Sequence, residues 1–99
     1  MIAQKRISKH DRYVLELSGK IKDDYDYVSM NVELKTKKRQ LGEIDIVAQK
    51  GNRYDLYEVK CSPRIVKARK QLAKLKKHFN QKNTRTFFYC GNSKMLVLV

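Results

Sequence analysis

Residues 42–60 read Gly42-Glu43-Ile44-Asp45-Ile46-Val47-Ala48-Gln49-Lys50-Gly51-Asn52-Arg53-Tyr54-Asp55-Leu56-Tyr57-Glu58-Val59-Lys60. Apolar and polar residues alternate on both sides of Gly51-Asn52, the pattern of a β-hairpin closed by a two-residue turn. With Gly51-Asn52 as the loop, Ile44 pairs with Val59 and Ile46 with Tyr57, making one apolar face. On the other face Asp45 stands opposite Glu58, and Glu43 opposite Lys60. Directly opposed residues have Cβ atoms about 4.5–5.5 Å apart, and like charges there destabilise a sheet. A divalent cation between the carboxylates relieves that repulsion, because hard cations take carboxylate oxygens. Lys60 is two residues from Glu58 and shares its face.

The rest of the chain supplies a setting. Its 99 residues suit one small domain, residues 1–99, and 41% hydrophobic content suits a folded one. The formal net charge is +13. All ten acidic residues lie between Asp11 and Glu58, whereas residues 59–99 carry eleven Lys or Arg and no acid. Such asymmetry points to an anionic partner, nucleic acid above all. No apolar run is long enough for a membrane span, and Met1–Arg6 lacks the apolar segment of a signal peptide. Two cysteines, Cys61 and Cys90, are too few for a disulfide framework. The expectation is an intracellular protein (cytoplasmic or nucleoid, or in host cytoplasm if viral) with no membrane partner.

Residues 8–22 read as a helix capped by Ser8, with Tyr13, Val14, Leu17 and Ile21 toward the core. Residues 26–34 alternate as a half-buried strand, with Val28, Met30, Val32 and Leu34 on one side. The basic connection containing Lys35, Lys37, Lys38 and Arg39 is a candidate phosphate contact. Ser62-Pro63 reads as the start of a second helix reaching about Asn80. Ile65, Ala68, Leu72, Leu75 and Phe79 form its core stripe, and Arg64, Lys67, Lys70 and Lys74 are candidate nucleic-acid contacts. A helix with this many like charges repels itself until a phosphate backbone lies beside it. Residues 84–90 and 95–99 read as two further strands, the last apolar enough to need cover from the core or from a second chain. His10 and His78 lack metal-site spacing partners.

The Gly42-Glu43-Ile44-Asp45 sequence followed by Glu58-Val59-Lys60 resembles the core of the PD-(D/E)XK nuclease superfamily, especially the archaeal Holliday-junction resolvases and small resolvase-like endonucleases. The resemblance covers residues 8 to about 90; Ile44 replaces the proline of the family motif. It implies an α/β fold with a restriction-endonuclease-like core: a central mixed sheet of about five strands with flanking helices, in the order α-β-β-β-α-β-β. It implies a Mg²⁺-dependent endodeoxyribonuclease, Mn²⁺ substituting, that acts on branched or junction DNA as a homodimer. Asp45, Glu58 and the Val59 carbonyl would hold the metal; Glu16, Asp45, Glu58 and Lys60 would be catalytic, with Gln71 possible in support. The alternative is a catalytically inactive, basic nucleic-acid-binding module on the same fold. An RNA-processing role is a third reading, without an RNA-binding motif to carry it.

Overall fold

The computed structural model describes residues 7–99, so the reading of Met1–Arg6 falls outside the described residues. Helix α1 spans Lys9–Ile21. Ser8 caps it as expected, its Oγ accepting from the Asp11 N–H at 3.1 Å, which satisfies an amide the first turn leaves free. Strand β1 is Tyr27–Lys35, β2 Gln40–Lys50 and β3 Arg53–Lys60. Helix α2 is Ile65–Lys76, followed by β4, Thr84–Cys90, and β5, Met95–Leu98.

The strands form a single mixed sheet in chain order, β1-β2-β3-β4-β5. Only β3 and β4 are parallel, because α2 carries the chain back between them. The fold is therefore α/β with a five-stranded mixed sheet and two helices, in the expected order. Val14, Leu17 and Ile21 of α1 pack with Ile46, Ala48, Tyr57, Val59 and Tyr89. Leu72 and Leu75 of α2 pack with Ile44 and Leu56, while Ala68 packs with Phe88 and Cys90. Neighbouring residues of β3 and β4 thus face different helices, which places α1 and α2 on opposite faces of the sheet. Among the described residues no helix is long and apolar enough to cross a membrane.

The hairpin has the expected register, with Ile46 opposite Tyr57 and Lys50 opposite Arg53. Gly51 turns it at φ +57°, a left-handed conformation that glycine adopts freely. The single apolar face does not survive beyond Ile46. Ile44 packs under α2, whereas Ile46 and Val59 pack under α1. Strand β1 makes the same switch: Val28 joins the α1 layer and Leu34 the α2 layer. The break lies at Asn31, at φ 54°, whose register partner would be Asp45. One left-handed residue reverses the side-chain parity of β1, and β2 follows it across the sheet plane. Asparagine tolerates that conformation, while a β-branched residue does not. Asn31→Val is expected to lower the unfolding free energy by about 1–2 kcal/mol, with Asn31→Gly near neutral, as measured by urea denaturation.

Three further expectations change. Helix α2 begins at Ile65 after Arg64, with no side-chain cap. Ser62 serves a tight turn instead, its carbonyl accepting from Arg64 N at 2.8 Å. The helix ends at Lys76, where bonds from His78 N to Leu75 O and from Phe79 N to Lys76 O tighten the chain into a turn. Strand β5 is an edge of the sheet, and Leu96 and Leu98 are exposed among the described residues, so the core does not supply the cover expected for them.

One buried charge belongs to the fold. Asp55, fully buried on β3, accepts from Arg85 Nε at 2.9 Å and from Arg85 Nη2 at 2.7 Å. Tyr25 also donates its hydroxyl to Asp55 and lies 2.5 Å from the Tyr57 hydroxyl.

Candidate functional site

The layer switch in β2 prepares a local opening beside β3. Beyond Ile46–Tyr57 the two strands no longer pair, and the side chain of Asp45 takes over where the ladder stops. Its Oδ2 accepts from the Val59 N–H at 2.8 Å. Asp45 and Glu58 are both buried, at 6% and 3% exposure, so these carboxyls are held within the protein rather than solvated.

Glu58 is the Cα partner of Phe88, which packs under α2, so Glu58 lies on that same face. Its Oε1 is 3.6 Å from Lys60 Nζ. Its Oε2 is buried with no hydrogen-bond partner among the described residues. Burial, then the neighbouring Asp45 carboxyl, push the Glu58 carboxyl up to about 8 against the pull of Lys60. A buried polar atom without a partner is costly, and the ionised pair is costlier still.

The position facing Asp45 from the first helix is His10. Its Nε2 lies 3.3 Å from Asp45 Oδ2 and 3.0 Å from the Val59 carbonyl oxygen. Both neighbours are acceptors, so Nε2 carries the proton and donates. His10 belongs to the face that also carries Val14, Leu17 and Ile21, at helical spacing, and this was the signal available for finding it. Glu16, the carboxylate expected from this helix, does not reach the site. It is turned toward the β4–β5 turn, where Lys94 Nζ donates to its two oxygens at 2.6 and 2.7 Å. That contact holds the Glu16 carboxyl below its ordinary range. The physical reason is angular: Glu16 is two residues from Val14 and one from Leu17, off the stripe that faces β2 and β3.

A second set of contacts fixes the end of β3. The Lys60 carbonyl accepts from Gly91 N at 2.8 Å and the Cys61 carbonyl from Asn92 N at 3.2 Å. Tyr13 of α1 donates to Asn92 Oδ1 at 2.8 Å. A Cβ at Gly91 would fall 2.1 Å from the Tyr13 ring, so only glycine lets helix and turn meet here.

Comparison of the chain with protein-family models, with curated proteins and with solved structures gave no match. The chemistry of the site follows from its own atoms.

Those atoms are mostly hard donors. Among the described residues no three His, Cys, Asp or Glu side chains group so as to hold a metal ion by themselves. A cation here would need the Val59 carbonyl beside the Asp45 and Glu58 carboxylates. Two observations fit such a group: the unpartnered, buried Glu58 Oε2, and the convergence of Asp45 Oδ2 and Val59 O on the single N–H of His10. An all-oxygen set of this kind suits Mg²⁺ or Mn²⁺.

The candidate nucleic-acid contacts are exposed. Arg64, Lys67, Lys70 and Lys74 lie on the outer surface of α2. Lys35, Lys37, Lys38 and Arg39 lie around a turn closed by Thr36, whose N–H donates to the Arg39 carbonyl at 2.8 Å and whose Oγ1 accepts from Lys38 N and Arg39 N. This turn leaves the part of the β1–β2 ribbon where Leu34 and Ile44 pack beneath α2, so the two basic segments belong to one side of the protein. Gln71 is half-buried on α2, between the buried Ala68 and Leu75.

The buried Glu58 carboxyl is expected to make the stability of the chain depend on pH. A carboxyl raised from 4.5 to about 8 contributes stability that is complete below about pH 4.5 and is lost as pH rises through about 8. In EDTA, the melting temperature is expected to fall between pH 5 and pH 8. Glu58→Gln should flatten that fall, and Mn²⁺ should oppose it in the unmutated chain only. A melting temperature independent of both pH and Mn²⁺ would count against this account of the pair.

Proposed function

We propose that the chain is a metal-dependent DNA endonuclease that hydrolyses phosphodiester bonds and selects branched DNA such as a four-way junction. The observation that carries this reading is the buried carboxyl pair Asp45–Glu58, with one oxygen left without a partner, beside Lys60 and the Val59 carbonyl. Asp45, Glu58 and Val59 O would hold Mg²⁺ or Mn²⁺. When bound, such an ion polarises the phosphoryl oxygen and lowers the pKa of its water. Lys60 supplies a positive charge beside Glu58 for the phosphate or its attacking water. His10 orients the Asp45 carboxylate and the Val59 carbonyl from the opposite layer.

The exposed cations of α2 and of the 35–39 turn offer backbone contacts with no base selectivity. Recognition would then depend on DNA shape. A homodimer suits a junction, because two-fold symmetry presents two sites to two strands. The exposed edge of β5, with Leu96 and Leu98, supports that assembly, since uncovered edge strands recruit further strands.

A basic module without catalysis would use the same surfaces. The carboxyl pair favours the enzyme, because two buried carboxyls, one with an oxygen that lacks a hydrogen-bond partner among the described residues, are costly to a pure binding module and are relieved by a cation. The test is a cleavage panel with Mg²⁺ or Mn²⁺ on four-way junction, flap, splayed-arm and linear DNA. Junction cleavage dependent on the ion is expected, and no cleavage of any substrate would overturn the reading.

A further inference from the structure

At the other end of β3 from Lys60 lies a cleft of about 440 Å³ lined by Lys50, Asn52, Arg53, Lys82, Asn83 and Arg85. It is formed where the β2–β3 turn meets the start of β4. We propose that this cleft anchors a backbone phosphate of a bound nucleic-acid strand, at a point separate from the Asp45–Glu58 pair. The inference rests on the nucleic-acid reading above but not on catalysis.

Charge is the first reason. Four cations line the cleft. Against them stand Asp55, which is fully buried, and Asp26, which lies 3.9 Å from Lys50 and also accepts from the Gly51 N–H at 2.8 Å. Two positive charges are left over on facing segments, an arrangement that repels itself until an anion joins it.

Preorganisation is the second. Asp55 holds Arg85 by two parallel bonds at 2.9 and 2.7 Å, leaving the outer nitrogen of that guanidinium free of this carboxylate. Arg53 is drawn to the same carboxylate as an ion pair at 3.5 Å, and its Nε is buried without a hydrogen-bond partner among the described residues. The two guanidinium groups are thereby set side by side before a ligand arrives, which reduces the entropy lost on binding.

The lining decides the class of ligand. It contains cations and amides and no aromatic ring, so nothing there stacks a base. Guanidinium, ammonium and amide N–H groups are the donors that phosphate oxygens take. The cleft is separated from the carboxyl pair by most of β3, about 17 Å over the run from Arg53 to Glu58 at about 3.3 Å per residue. A strand engaging both places would span several nucleotides, and that separation lets a phosphate here orient the strand without approaching the reacting bond.

The test uses Lys50→Ala/Lys82→Ala, because both side chains are exposed and neither holds Asp55, whereas changes at Arg53 or Arg85 disturb the buried pair. Binding of a labelled 20-base-pair duplex is measured in EDTA, where nothing is cleaved, across a range of salt. The double variant is expected to bind about three- to tenfold more weakly and to lose about one to two from the slope of log K against log salt. A charge-matched control, Lys9→Ala/Lys22→Ala, is expected to keep the slope. Unchanged affinity in the double variant, or an equal loss in the control, overturns the proposal. So does calorimetric binding of inorganic phosphate that the double variant abolishes while duplex affinity stays unchanged, because the cleft would then serve a small phosphate ligand. Binding that depends on Lys50 and Lys82 in a protein that cleaves nothing would sustain the anchor and sink the nuclease.

Discussion

Asp45→Asn is expected to lower metal-dependent cleavage by about 10²–10³-fold, the scale of losing one fixed electrostatic stabiliser of a transition state, while DNA binding and fold persist. The substitution is close to isosteric. Asparagine keeps a carbonyl oxygen for the Val59 N–H, which Asp45 now receives at 2.8 Å, so β3 keeps its partner at the point where β2 leaves it. What is removed is charge, and with it one of the two carboxylates that would hold a cation. Single-turnover cleavage with saturating Mn²⁺, alongside thermal melting, separates the two roles. Undiminished cleavage would show that Asp45 only supports the backbone. Loss of cleavage together with loss of fold in Asp45→Asn would leave Glu58→Gln to decide, since Glu58 Oε2 has no hydrogen bond among the described residues.

Asp55→Ala is expected to destabilise the protein by about 2–3 kcal/mol, because it removes charge-assisted hydrogen bonds to a buried carboxylate, while the half-exposed guanidinium groups of Arg85 and Arg53 regain water. Asp55 is fully buried and receives Arg85 through two nitrogens. Its pH signature differs from that of Glu58. Burial by itself would raise the Asp55 carboxyl, but hydrogen bonds from Arg85 and Tyr25, with the charges of Arg85 and Arg53, outweigh it and hold the group below its ordinary range. A depressed carboxyl stabilises the fold above its unfolded value, about 4, and that contribution fades as pH falls below about 4. Chemical denaturation of the wild type should show this acid limb, and the Asp55→Ala variant should lack it. A change of less than about 1 kcal/mol, the range of an exposed pair, would mean that the buried network contributes no more than a surface contact.

How much of this was visible in the chain depended on distance along it. The β2–β3 register was readable because Gly51-Asn52 fixes the count across a two-residue turn, and Ile46 meets Tyr57 as that count requires. The order of elements was readable because each segment carries its own period. The layer switch was not, since it turns on one residue, Asn31, in a strand whose alternation looks uninterrupted. The direct Asp45–Glu58 opposition on one face gave way for the same reason, and Asp45 turned to the Val59 amide. Metal-ligand spacing gave no role to His10, although it stands four residues before Val14 on the core stripe, and family resemblance pointed to Glu16; packing brings the histidine to Asp45. The Asp55 network joins Tyr25, Asp55 and Arg85, each 30 residues from the next, and no local pattern connects them.

The bond from Val59 to Asp45 ties a main-chain amide to a side chain that would also receive a metal ion. Most strand amides are protected from solvent exchange by a neighbouring strand; this one is protected by the carboxylate. Its hydrogen-exchange rate is therefore a local clock for the integrity of the site, legible in a protein bearing no substrate. It would quicken when Asp45 is drawn elsewhere and slow when the opening beside β3 is held shut, while the amides of the hairpin below it keep the pace of the whole sheet.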